Sequence, residues 1–179
     1  MAVLPIRIFG DPALRARAAE VTDFDDVLRR LAGDMMETMR QAHGAGLAAN
    51  QVGVLKRLFT WQTGEDEHGA VANPVLLESS EETQEGEEGC LSFPGLWYPT
   101  RRPLRVRMRV QDVRGEEHEV EGKELLARIL LHELDHLNGI LFIDHLARHD
   151  RKEAMGRIRA GELEHPRPHD HPGAEPPVA

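Results

Sequence analysis

The chain has a single cysteine, Cys90, among its 179 residues. An internal disulfide is therefore impossible. A lone thiol is a small buried hydrophobe in most chains and a ligand or nucleophile in some. Long hydrophobic runs are missing too: none approaches the roughly 18 residues that cross a bilayer. The opening segment, MAVLPIRIFGDP, has Pro5 and Arg7 inside its only apolar patch. That makes a poor signal-peptide core, so the expected location is the cytoplasm. There is no excess of positive charge. The formal net charge is -9, which argues against a nucleic-acid-binding surface, although TRRPLRVRMRV supplies a small basic cluster. No repeat divides the chain, and its length suits one domain with a real core.

The elements that remain describe an α+β domain over 1–150, with antiparallel sheets around a buried C-terminal helix and an amphipathic helix near the N-terminus. In TDFDDVLRRLAGDMMETMRQAHG, the residues Phe24, Val27, Leu28, Leu31, Met35 and Met39 recur at helical spacing. Thr22 or Asp23 is the expected cap, and Gly44 and Gly46 the expected stop. RLFTWQ and AVANPVLLE read as strands. PLRVRMRVQDV alternates, with Leu104, Val106, Met108 and Val110 on one face and Arg105, Arg107 and Arg109 on the solvated other; HEVE then pairs back. ESSEETQEGEEG reads as a mobile acidic loop without a function of its own. A second helix begins near Lys123, is apolar nearly all round, and ends at Asn138-Gly139. The charged, Pro- and His-rich remainder, 151–179, is expected to be largely disordered.

The second helix carries His132-Glu133-x-x-His136. Four residues apart, the histidines stack one turn above each other, with Glu133 about 100° round the helix. Burying these polar groups in an apolar helix is costly unless each finds a partner. A metal would satisfy the imidazoles, and a metal-bound water the carboxylate. Two histidines need a third ligand. The position where an extended motif places another histidine holds Phe142, and Glu153 and Glu162 lie in thin, charged sequence. Cys90 remains, in EEGCLSFPG, where Gly89 and Pro94-Gly95 mark irregular backbone. A thiolate beside two imidazoles suits Zn²⁺ or Fe²⁺ and leaves a fourth position open to water. In GAGLAANQ, Gly44 and Gly46 permit close backbone approach, and the Gln51 amide could face developing negative charge.

Together GAGLAANQ, EGCLS and HELDHLNG resemble, in order, the three signature motifs of the peptide deformylases. IRIFGDPALRARAAEV, NPVL and LFIDHL also have counterparts there, so the similarity runs from about Pro5 to Leu146. The resemblance implies an enzyme that removes the formyl group from N-formylmethionine at the start of new proteins. It implies Cys90, His132 and His136 as metal ligands, Glu133 as general acid/base, and Gln51 with the Leu91 N–H as oxyanion hole. Gly46 would contact an extended peptide through its backbone, with Ala45, Leu125 and Ile129 around the methionine side chain. The family metal is usually Fe²⁺, replaceable by Zn²⁺, Ni²⁺ or Co²⁺. Nascent chains are the implied substrates and the ribosome a partner, with no membrane and no direct nucleic-acid contact. The chain departs from the pattern at Ala45, where a branched residue is usual and the pocket should widen. It departs again at Leu131, where Gln is usual and packing behind the helix should change. Two rival readings are an HExxH peptidase using a downstream glutamate and a closed, non-catalytic metal site completed by His43 or His118.

Overall fold

The computed structural model describes residues 2–163. Helix α1 (Asp26–Gln41) is followed by strands β1 (Gly46–Ala48), β2 (Leu58–Gln62), β3 (His68–Ser79), β4 (Thr83–Gly89), β5 (Trp97–Pro103), β6 (Arg105–Gln111) and β7 (Glu117–Lys123). Helices α2 (Leu125–Leu137) and α3 (Arg148–Arg159) complete the chain. Five strands form an antiparallel sheet in the order β1-β2-β3-β6-β7, and β4 and β5 make a separate hairpin. The two helices take opposite faces of the large sheet, because neighbouring strand residues point in opposite directions. Leu58 and Leu47 join Leu28, Met35 and Met39 of α1, while Phe59 and Ala48 join Ala127, Leu130 and Leu137 of α2. No helix of the described residues is long and apolar enough to cross a membrane.

The local chemistry explains most boundaries and corrects several expectations. The cap of α1 is Asp25, whose carboxylate accepts the Leu28 N–H at 2.9 Å; Thr22 and Asp23 lie too far upstream to reach the first turn. Val27, placed on the apolar face from sequence, is 72% exposed. The chain leaves α1 at His43, which is in the left-handed region (φ 56°), before either glycine. Gly46 already belongs to β1, so GAGLAANQ is largely a strand and a following 3-10 turn, Ala49–Val52.

The acidic run expected as a mobile loop is instead the end of β3 and the whole of β4. It forms a regular ladder with β5, in which several partners are basic or aromatic: Glu85 faces Arg101, Glu88 faces Tyr98 and Gly89 faces Trp97. The arginines of β6 do face solvent, where Arg107 pairs with Glu78 and Glu119 on the flanking strands. The boundary at 150 falls inside α3. Residues 151–163 are ordered there: Ala154 and Leu163 pack in a cluster with Phe93, Tyr98, Phe142 and Ile143. Burial of this apolar patch outweighs the low hydropathy of the segment around it. The rest of the expected tail lies outside the described residues.

Candidate active site

Helix α2 brings His132 and His136 together, ring centroids 4.9 Å apart. The third group arrives from the end of β4, where the chain turns sharply after Gly89 and Cys90 O accepts the Phe93 N–H at 2.8 Å. This turn aims Cys90 Sγ at His136 Nε2, 3.3 Å away. One ligand atom each from Cys90, His132 and His136 lies within 4.8 Å of the others, the one such group of His, Cys, Asp and Glu among the described residues. Neither His43 nor His118 belongs to it. Phe142 packs at 6.3 Å from the His132 ring and closes that side.

A buried carboxylate sets the tautomer of His132. Glu88 accepts from His132 Nδ1 at 2.7 Å, from Arg102 through Nη2 (2.6 Å) and Nε (3.1 Å), and from Arg128 Nη1 (2.9 Å). Burial raises its pKa, but the bonds from His132 and Arg102 outweigh burial and hold Glu88 well below the usual carboxylate range. An ionised carboxylate only accepts, so Nδ1 carries the hydrogen and Nε2 keeps its lone pair. His132 Nε2 is buried and has no hydrogen-bond partner among the described residues. Burial drives the His136 pKa well down, so that ring is neutral and able to ligate. Burial pushes the Cys90 thiol up; the Ser92 N–H at 3.4 Å works against this, and the charge of Glu133 adds to it. Two buried imidazoles and a thiol that stays protonated without a cation fit a divalent transition metal, whose charge would stabilise the thiolate.

Glu133 is fully buried and both its carboxylate oxygens lack a hydrogen-bond partner among the described residues. Burial first, then the charges of Glu88 and Asp135, push its pKa well up. Gln51 is equally buried. Its Oε1 accepts the Ala48 N–H at 2.8 Å, which turns Nε2 toward Cys90 Sγ (3.6 Å) and Ser92 Oγ (3.3 Å). Leu91 follows Cys90 in the turn, and its side chain lies so close to Gly44 that a Cβ there would sit 2.7 Å from Leu91 Cδ1.

Beside these groups is a cleft of about 540 Å³ lined by Gly44, Ala45, Leu125, Gln62 and Arg40, among others. Ile129 is fully buried and packs against Ala45. Trp61, the cross-strand partner of Gly46, packs against the same pair, so an indole takes up room that the small Ala45 leaves. Leu131 faces the sheet in the cluster of Ala48 and Phe59, away from the ligands.

Sequence reasoning missed Glu88, Arg102, Arg128 and Asp135. Arg128 did leave a signal, as a charged residue in an apolar helix one turn before His132. Glu88 left none, since Glu87 beside it is the same residue type and points outward.

A family profile for polypeptide deformylase matches residues 3–152. A peptide deformylase of Parafrankia sp. is 51% identical over 162 residues, 90% of this chain and 88% of that protein. Peptide deformylase 1 of Corynebacterium glutamicum is 50% identical over 163 residues, covering 89% and 96%. The crystal structure of peptide deformylase from Thermus thermophilus superposes with a TM-score of 0.84 at 42% identity, covering 90% of this chain and 96% of that one. That of Ehrlichia chaffeensis in complex with actinonin gives 0.84 at 36% identity, covering 90% and 99%.

Proposed function

The chain belongs to the peptide deformylase family, and from that premise we propose that it hydrolyses the formyl group from the N-terminal N-formylmethionine of new proteins, releasing formate. The observation that carries this reading is the bare, buried Nε2 of His132, which lies among Cys90, His136, the Gln51 amide and the unpartnered Glu133 carboxylate.

Cys90, His132 and His136 hold the family's divalent metal, expected to be Fe²⁺ with Zn²⁺, Ni²⁺ or Co²⁺ as replacements. When bound, such an ion supplies Lewis acidity, acidifying water and polarising a carbonyl. The remaining work falls to the protein. Glu133 accepts a proton from the attacking water and delivers it to the departing amine; both its oxygens are free of partners among the described residues. Gln51 Nε2, held by the Ala48 contact, and the Leu91 N–H donate to the oxygen that gains charge, each worth about 3 kcal/mol when preorganised. The peptide lies extended beside β1 with its backbone against Gly46, and its methionine side chain enters between Ala45, Leu125 and Ile129. The proposed setting is the cytoplasm, where nascent chains leave the ribosome; membrane and nucleic acid have no part in it.

The rivals lose their extra ligand. Glu153 accepts from Tyr98 Oη at 3.2 Å and Glu162 from Arg157 Nε at 2.7 Å, both away from the histidines. Among the described residues, no fourth ligand joins the Cys90–His132–His136 group to close the site. The test is formate release from a formyl-Met-Ala-Ser peptide by protein kept free of oxygen, with metal content measured alongside. Metal-replete protein that releases no formate, or that cuts internal peptide bonds without regard to formylation, refutes the proposal.

A further inference from the structure

Arg128 is a buried cation for which the reaction has no direct use. It is 4% exposed, in the apolar first half of α2, one turn before His132. Its Nη1 donates to Glu88 Oε2 at 2.9 Å and to Thr100 O at 3.0 Å. Across from it on β4 is Gly86; a Cβ there would stand 3.2 Å from Arg128 Nη2, so the glycine leaves the guanidinium its room. Gly86 and Glu88 are two apart on one strand and share a face. The strand thus offers Arg128 a gap and then an acceptor.

Glu88 has two oxygens, and each is held twice. Oε1 accepts from His132 Nδ1 and Arg102 Nη2; Oε2 accepts from Arg102 Nε and Arg128 Nη1. Arg102 approaches as a fork along one edge of the carboxylate, from β5 rather than from α2. Arg128 meets it from α2, the helix that also carries His132, so the carboxylate is tied to that helix at both oxygens. The direction of Oε1 sets the direction of the Nδ1–H bond, and through the rigid ring that of Nε2. Charge leads to the same place. Glu88 and Asp135 are two carboxylates and Arg102 and Arg128 two guanidiniums, joined by contacts of 2.6 to 3.1 Å. Without Arg128 one negative charge of this buried cluster is uncompensated.

We propose that Arg128 is a positioning residue for the metal ligand His132, acting through the Glu88 carboxylate that both touch. The proposal rests on the metal reading above. Three readouts test it in purified full-length protein: Co²⁺ affinity by chelator competition, the thiolate-to-cobalt absorption band, and the separation of kcat from KM. Arg128→Gln should hold Co²⁺ roughly tenfold less tightly and lower kcat, with KM within about twofold of wild type. Arg128→Lys, which keeps the charge but not the paired geometry, should loosen the metal about threefold. In a Glu88→Gln background Arg128→Gln should add nothing, because the path through the carboxylate is already cut. Wild-type cobalt affinity in either Arg128 variant overturns the proposal, as does an undiminished Arg128→Gln effect in the Glu88→Gln background. Should Arg128→Gln fail to fold, the Lys variant alone decides. Failure of the metal reading itself shows first, as wild-type protein that binds cobalt without a thiolate band.

Discussion

His132 Nδ1 lies 2.7 Å from Glu88 Oε1, and this contact decides which nitrogen of His132 is left to ligate. Glutamine at 88 keeps the shape but can present an amide hydrogen to Nδ1 and so favour the wrong tautomer. Glu88→Gln is expected to weaken metal binding about 10- to 100-fold. Chelator competition measures this, and a variant that retains wild-type affinity removes Glu88 from the ligand's support.

Glu133 should behave in the opposite way. Its oxygens lack partners among the described residues and it is not in the ligand group. Glu133→Gln is expected to keep its metal and lose turnover by about 10²- to 10⁴-fold. Metal analysis and formate release on the same preparation check both halves. Full activity in the variant would end the assigned role.

Gly139 ends α2 with φ at +74°, and a Cβ there would stand 2.5 Å from Arg15 O. That neighbour is backbone and cannot swing aside. Gly139→Ala should cost about 1–2 kcal/mol for the left-handed conformation alone, and more from the clash. Denaturant melts of metal-loaded protein read the loss, and an unchanged midpoint contradicts it.

Asp144 gives a pH dependence. Burial raises its pKa, but Arg15 and the Leu141 N–H at 3.0 Å outweigh burial and hold it below the ordinary carboxylate value. A carboxyl with a depressed folded pKa contributes stability that is present above its unfolded pKa and lost as pH falls through the folded one. At neutral pH, metal-free wild type should therefore exceed Asp144→Asn by roughly 1 kcal/mol, a figure kept low by partial exposure. The gap should close as the pH drops below about 4. Thermal melts in chelator across that range test the sign; a gap that widens in acid contradicts it.

Ala45 meets Ile129, Trp61 and Leu125. A branched side chain there competes with the indole for the same space. Ala45→Ile is expected to cost about 1–3 kcal/mol through overpacking and to lower kcat/KM for formyl-Met peptides. Melting and steady-state kinetics check this together. An Ile variant as stable as wild type means that Trp61 yields.

How much could be read from the linear chain follows from the range of each interaction. His132, Glu133 and His136 lie within about one turn, so any helix through them stacks the imidazoles whatever surrounds it. The alternation of β6 and the stop at Asn138-Gly139 are local in the same sense. Cys90 was legible as a candidate ligand because it is the one thiol, yet its distance of 3.3 Å from a ring 46 residues away is a product of hairpin β4–β5 packing on α2. The acidic run shows the limit most clearly. A string of glutamates reads as solvated because unpaired carboxylates are costly to bury. Arg102 and Arg128, 14 and 40 residues from Glu88, remove that cost, and strand alternation turns Glu88 inward rather than Glu87. Local rules place the atoms of one helical turn; a buried charge can be assigned only once the folded chain has brought its counter-charges beside it.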